Sequence, residues 1–182
     1  MEFFDDTNIE RAALYRLFSS LFTKEPGEET LLTIQEMFQM RFDETPSEIG
    51  ADFFRLFQDR AGSLRPYESL YNYPFGDKPR TWGTVTEKIQ ERYHAAGVMI
   101  DEETGLIPDH ISAELSFMSY LIENGLADEQ EEFLKDHLVV WIPGFCEDLK
   151  ETAQTTFYRE VADLLKEFVL SDQEEFETDE GE

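Results

Sequence analysis

The residue types best suited to chemistry stand together in the middle of the chain, at Asp109, His110 and Glu114. An imidazole beside carboxylates is the usual composition of acid/base pairs and of many metal sites. His110 and Glu114 are four residues apart, so a helix would place them on one strip of its surface. The set predicts either a catalytic or metal-binding cluster or a capped helix start with a hydrogen-bonded histidine.

The rest of the sequence supplies little that would complete such a cluster. It contains no HExxH pair, no nucleophile motif and no phosphate-binding glycine loop. The other histidines, His94 and His137, fall on separate predicted helices, and the single cysteine, Cys146, is predicted to be a small buried hydrophobe. The sequence therefore predicts no catalytic residue, no metal and no cofactor. A helical enzyme or metal-binding protein using Asp109, His110 and Glu114 stays open as the alternative.

A second candidate site is the aromatic segment 61–80. It holds three tyrosines and a phenylalanine among three prolines, and Trp82 follows it. Linkers are poor in aromatic residues, so we predict a structured loop. Aromatic side chains are common anchors of bound peptides, and these could line a peptide groove. From the residues alone, the favoured interpretation is that they simply pack the loop onto the bundle.

The element that must position Asp109 and His110 is a central helix predicted over about 108–124. Pro108 suits the first helical position, Asp109 would fall in the first turn near the surface, and Gly125 is a stop signal. The apolar residues follow two lines at helical spacing. A third line of small residues, Ser112, Ser116 and Ser119, predicts close packing by another helix.

The same spacing predicts further helices, and no segment shows sustained strand alternation. Their predicted ranges are about 9–23, 28–40, 48–59 capped by Ser47, 82–96 capped by Thr81, 129–141, 145–153 after a break at 142–144, and 155–170. The predicted fold is all-α, a single-domain helical bundle over 1–170 with a buried central helix. Residues 171–182 are acidic with one aromatic, Phe176, and are expected to be a disordered tail.

Composition restricts the partners. The chain has 182 residues, 41% of them hydrophobic, and a formal net charge of −26. This charge argues against nucleic-acid binding and against docking on an anionic membrane. It suits a basic partner, although a solvated acidic surface explains it equally well. One cysteine, no signal peptide and no long apolar run predict a cytoplasmic protein without stable membrane insertion.

Three stretches, in order and at matching spacing, resemble one family. They are PYESLY (66–71), LIPDHISAELSFMSYLI (106–122) and HLVVWIPGFCEDLKETAQTTFYREVADLLKEFV (137–169). Together they resemble the TorD/DmsD/NarJ redox-enzyme maturation chaperones, with the TorD- or DmsD-like branch the most similar. Many members have a glutamate shortly before the proline of the second motif, where this chain has Leu106 and Ile107.

The resemblance implies an all-helical cytoplasmic chaperone. It would bind the twin-arginine signal peptide of a molybdopterin-containing oxidoreductase and hold the catalytic apo-subunit until its cofactor is inserted. The family's peptide-binding positions correspond to Asp109 and His110 in the second motif and to Tyr67, Ser69 and Tyr71 in the aromatic segment. The resemblance leaves open GTP binding and whether the chain is a monomer or a domain-swapped dimer.

Overall fold

The computed structural model describes residues 6–59, 64–73, 75–76, 78–100 and 105–179, and within these ranges it contains helices and no strand. The helices are α1 (Asp6–Thr23), α2 (Glu28–Phe38), α3 (Pro46–Phe53), α4 (Thr84–Ala95), α5 (Ile111–Glu123), α6 (Ala127–Phe133), α7 (Val139–Thr152) and α8 (Thr156–Asp179). π-helical turns at Phe54–Gln58 and Leu134–Leu138 extend α3 and join α6 to α7, and Glu68–Leu70 is a 3₁₀ turn. The predicted all-α fold is confirmed.

α5 is the buried centre of the bundle, as predicted. Its apolar residues Ile111, Leu115, Met118, Leu121 and Ile122 are all buried. The line of serines packs against α1 as expected: the Ser19 hydroxyl donates to the Ser112 carbonyl at 2.8 Å and lies 2.8 Å from the Ser116 hydroxyl. Ser119 donates to the Ala12 carbonyl at 2.9 Å. Small side chains thus bring the two helices close together.

The expected break at 142–144 is wrong, because α7 runs through it with Pro143 inside the helix. Proline removes one backbone hydrogen bond and costs about 3 kcal/mol within a helix. Trp141, Ile142 and Phe145 are fully buried on the same turns. Burial of large apolar side chains is worth roughly 1.5–3 kcal/mol each, which outweighs that cost.

Two predicted helix starts are also wrong. Thr45, not Ser47, caps α3, through a capping box in which the Glu48 N–H and the Thr45 hydroxyl are 3.3 Å apart. α4 begins at Thr84 rather than after Thr81. Trp82 has a φ of 58°, in the left-handed region, so a regular helix cannot include it.

The expected disordered tail is wrong over residues 171–179, where α8 continues. Asp172 is buried, and its carboxylate accepts hydrogen bonds from Arg11 Nε at 2.6 Å and from the Tyr15 hydroxyl at 2.7 Å. The Arg11 guanidinium also lies 5.2 Å from the centre of the Phe176 ring. These contacts with α1 hold the last turns of α8, and the remaining tail, 180–182, lies outside the described residues.

Cys146 is buried, as predicted. Among the helices that the structure describes, none is both long enough and apolar enough to cross a membrane.

Candidate functional site

The aromatic segment and the start of α5 are joined through their backbones. Tyr67 and His110 form an isolated antiparallel bridge. On either side of it, the Glu68 N–H donates to the Asp109 carbonyl and the Ile111 N–H donates to the Pro66 carbonyl, both at 2.9 Å. The two motifs that the sequence singled out therefore form one unit, which we call the motif junction (residues 66–69 and 109–111).

Asp109 holds this junction from inside. Its side chain has no exposed surface. One carboxylate oxygen accepts from the Ser69 N–H and the other from the Thr86 hydroxyl, each at 3.0 Å. The expected place of Asp109 in the first helical turn, near the surface, is wrong, because α5 begins two residues later, at Ile111, and the side chain is fully buried. In this conformation Asp109 ties the aromatic segment and α4 to the start of α5.

His110 is the residue that caps α5. Its Nδ1 accepts from the Ser112 N–H at 3.2 Å and lies 2.7 Å from the Ser112 hydroxyl. Burial lowers its pKa to about 4, although the nearby Asp109 carboxylate acts in the opposite direction. The imidazole is therefore neutral at physiological pH, and a cap that accepts at Nδ1 leaves the proton on Nε2. The ring also packs edge-on against Tyr67, with centroids 5.1 Å apart.

An apolar groove opens beside the motif junction. Its volume is about 720 Å³, and it lies between α1, the end of α3, the segment before the junction and α5. Tyr67 and His110 stand on its wall, and the other lining residues are largely apolar: Ser19, Phe22, Thr23, Phe53, Phe57, Gln58, Tyr93, Val98, Ile100, Gly105, Leu106, Ile107, Ser112, Ala113, Ser116, Phe117 and Tyr120. A concave apolar wall with a few polar groups is the usual form of a ligand site.

A cluster of buried polar groups lies close to the junction. Glu68 has no exposed surface; its carboxylate is 3.0 Å from His137 Nδ1 and accepts from the Asn72 amide. Glu114, equally buried, accepts from the Trp141 indole at 2.9 Å. Burial and the nearby Glu68 carboxylate raise the pKa of Glu114 well above its usual range, which favours its protonated form.

The predicted site residues are thus divided. Tyr67 and His110 line the groove, whereas Ser69 and Asp109 are buried in the junction. Tyr71 packs against Trp141 and Phe145 and donates to the Asp148 carboxylate at 3.0 Å. Tyr73, Phe75 and Trp82, the other aromatic residues of the predicted peptide groove, are exposed and do not line this one.

The alternative cluster of Asp109, His110 and Glu114 does not assemble. The structure gives each residue different partners: Ser69 and Thr86 for Asp109, Ser112 for His110, and Trp141 for Glu114. No group of three potential ligands in the described part of the chain is placed to hold a metal ion. The groove wall on α1 and α3 was not predicted from the sequence, because phenylalanines at helical spacing predict only the buried face of a helix.

The helical fold of this chain is shared with a solved structure. A crystal structure of a protein described as a redox enzyme maturation protein, from Archaeoglobus fulgidus, superposes with a TM-score of 0.57 over 87% of this chain and 93% of the other, at 20% identity. The family model described as nitrate reductase delta subunit matches residues 11–147. The chain therefore belongs to this family, which includes NarJ and TorD, and the predicted family resemblance is confirmed.

Curated relatives point to the TorD branch. The chaperone protein TorD of Vibrio parahaemolyticus is 30% identical, covering 91% of this chain and 94% of its own length. The TorD chaperone of Shewanella pealeana is 25% identical over 93% of this chain and 90% of its own. Chaperone is a non-enzymatic role, which agrees with the prediction that the chain is not an enzyme. The chain is thus a chaperone of redox-enzyme maturation.

Proposed function

We propose that this chaperone acts in the cytoplasm on a molybdopterin-containing oxidoreductase. It binds the twin-arginine signal peptide of the catalytic subunit and holds the apo-subunit until the cofactor is inserted. The observation that carries the proposal is the apolar groove of about 720 Å³ beside the motif junction. Family membership and the TorD relatives support a client of this kind.

The groove suits the apolar segment of such a peptide. Apolar side chains gain free energy on leaving water, at about 25 cal/mol per Å² of buried surface. Phe22, Phe57 and Phe117 supply rigid walls from three different helical segments. Ser112 and Ser116 also line the groove, and their small side chains leave space for the peptide.

Polar contacts would fix the peptide's orientation. The neutral His110 offers an Nε2–H donor at the groove wall. The Tyr67 hydroxyl also stays neutral, because burial raises its pKa and the Asp109 charge adds to the effect. Two guanidinium groups of the peptide would be attracted by a chain with a net charge of −26.

The other three expected contact residues take positioning roles in this proposal. Asp109 and Ser69 hold the backbone of the motif junction, and Tyr71 fixes the following residues against α7. Tyr67 and His110 are then the residues of the predicted set that touch the peptide. The proposal requires neither GTP nor a second copy of the chain.

Titration calorimetry with a synthetic twin-arginine peptide from the organism's own molybdoenzyme tests the proposal. Ala113 lines the groove from α5, so Ala113→Phe fills space that the peptide needs. We expect this variant to bind at least roughly tenfold more weakly, a loss of about 1.4 kcal/mol. Ala127→Phe is the matched control, because Ala127 is exposed and lies outside the groove.

Two altered peptides separate the contributions. Replacing the two arginines by alanine should reduce affinity through lost charge attraction, and replacing the apolar segment by serines should abolish groove binding. If Ala113→Phe binds as tightly as the wild type, the groove is not the peptide site. If the wild type ignores every peptide while a molybdoenzyme subunit still copurifies, the chaperone recognises another part of its client.

A further inference from the structure

A second, smaller recess lies at the start of α4. Its described lining residues are Ser69, Tyr73, Lys78, Arg80, Gly83, Thr84 and Val85, and none of them lines the apolar groove. Its volume is about 20 Å³, enough for a single oxygen-sized group, since a water needs roughly 10–15 Å³. The recess therefore admits one atom of a ligand whose remainder stays at the surface.

Ser69 lines this recess, and its buried hydroxyl has no hydrogen-bond partner in the described part of the chain. Ser69 is only 2% exposed. Its backbone N–H donates to the Asp109 carboxylate, so the hydroxyl is the donor of Ser69 that lacks a partner among the described residues. A buried hydroxyl without a partner is unfavourable, and a ligand oxygen in the recess would supply the missing partner.

The surroundings of this hydroxyl are positively charged. α4 has 12 residues, and Gly83 at its N-cap offers no side chain to accept from the first N–H groups. This end carries the positive part of the helix dipole, where cations are disfavoured. Lys78 and Arg80 nevertheless line the recess, and Arg80 Nε lies 3.2 Å from the position that a Gly83 Cβ would take.

This arrangement is unusual for a chain with 15 basic and 41 acidic residues. Among the described residues, nearby carboxylates that oppose it include Asp109, behind Ser69 and Thr86, the buried Glu68, and the exposed Glu87 in the first turn of α4. Both oxygens of Asp109 are already hydrogen-bonded, which reduces their effect on the recess. An anion would relieve the repulsion between the two cations and the helix end.

We infer that this recess binds an oxyanion of the phosphate class, either the free ion or a monoester. One phosphate oxygen accepts from the Ser69 hydroxyl and from the N–H groups at the start of α4, which the N-cap residue Gly83 does not cap with a side chain. The other oxygens lie between Lys78 and Arg80, which form charge-assisted hydrogen bonds with them. This site is separate from the proposed peptide groove and does not depend on it.

Titration of the isotope-labelled protein with inorganic phosphate tests the site, with sodium chloride at matched ionic strength as the reference. We expect saturable shifts of the amide resonances of Ser69, Thr84 and Val85. The double variant Lys78→Gln/Arg80→Gln should weaken binding at least roughly tenfold through lost charge-assisted contacts. Lys88→Gln is the matched control, because Lys88 lies on α4 but outside the recess, and it should bind like the wild type.

Ser69→Ala gives an independent readout. Without phosphate, this variant should melt at the same temperature as the wild type or higher, because it removes an unsatisfied buried hydroxyl. The rise in melting temperature that phosphate causes in the wild type should be smaller in the variant. An equal rise in both proteins would show that the hydroxyl takes no part and would overturn the assignment.

Phenyl phosphate distinguishes the two sources of the anion. Tighter binding than inorganic phosphate indicates a monoester whose ring packs on the neighbouring Tyr73, and equal binding indicates the free ion; either result supports the site. Absence of a saturable shift with both compounds, or an undiminished shift in the Lys78→Gln/Arg80→Gln variant, would overturn it.

Discussion

The carboxylate of Asp109 has no contact with solvent, and both of its oxygens accept hydrogen bonds from other segments. The donors are Ser69, 40 residues before it, and Thr86, 23 residues before it. No local pattern in the sequence predicts such partners. The sequence did predict that Tyr67 and His110 belong to one site, because both lie in recognisable motifs. The burial of Asp109 depends on long-range packing, which the motifs do not show.

Asp109→Ala should therefore destabilise the protein about as much as Leu115→Ala. The first variant leaves two buried donors unsatisfied, at about 1–3 kcal/mol each, and the second creates a core cavity at about 2–5 kcal/mol. Asp109→Asn should cost less, because the Thr86 hydroxyl can accept from the new amide. Chemical denaturation measures all three, with the exposed Asp43→Ala as control. A loss below about 0.5 kcal/mol for Asp109→Ala, the range of neutral surface changes, would contradict this role.

His110 makes stability depend on pH. Its pKa in the folded protein is lowered to about 4, from 6.5 in the unfolded chain, chiefly by burial. Between these two pH values the unfolded chain binds the proton more readily than the folded protein does. The contribution of His110 to the free energy of unfolding is therefore complete above pH 6.5 and is lost as pH falls towards 4. A pKa difference of this size between the folded and unfolded states is worth roughly 3 kcal/mol.

His110→Asn tests this dependence, because asparagine keeps a helix-capping oxygen but does not titrate. The free energies of unfolding of the two proteins should differ in slope between about pH 4 and 6.5, with the wild type losing more stability. Parallel curves would show that His110 is more exposed to water than the structure indicates.

At the scale of the helices, apolar periodicity predicted the elements well and their ends poorly. Spacing alone predicted the central helix and the close packing of another helix on its serines, but it did not identify that helix as α1. Spacing did not predict that α7 continues through Pro143 or that α8 continues beyond residue 170. In both places, packing of buried neighbours keeps the chain helical although the proline or the acidic composition disfavours a helix. Asp172 is the clearest case: in sequence it is one acid among many, and its partners in the structure are the partly buried Arg11 and the buried Tyr15.

Truncation after Ser171 should lower the melting temperature substantially. It removes the Asp172 carboxylate and leaves Arg11 and Tyr15 without their partner, and breaking such a buried pair typically costs about 3–5 kcal/mol. Truncation after Phe176 is the control, because it keeps both the carboxylate and the aromatic ring under Arg11. Thermal unfolding of the two shortened chains decides the matter, and equal melting temperatures would mean that α8 ends earlier in solution.

At the scale of the whole molecule, the charge of −26 should act mainly on the rate at which a basic peptide arrives. Raising the salt from roughly 50 to 300 mM shortens the Debye length from about 14 to 6 Å. We expect the association rate of the twin-arginine peptide to fall several-fold, with little change in dissociation. Stopped-flow fluorescence measures both rates.

The same peptide with both arginines replaced by glutamine is the control, and its association rate should respond much less to salt. If both peptides respond equally, the acidic surface serves solubility rather than recognition.

The groove itself is also a property of the whole molecule. Its walls come from α1, α3 and α5, so the sequence could identify its residues as apolar but could not show that they leave a space between them.

The contact between α1 and α8 also has a consequence for synthesis on the ribosome. Arg11 and Asp172 are separated by 161 residues. At about 5–20 residues per second, translation needs roughly 8 to 32 s to cover that distance. During this time the first helix has emerged without the partner that completes its packing. A nascent chain of this chaperone therefore spends many seconds as an incompletely folded client, in the condition from which it is proposed to protect another protein.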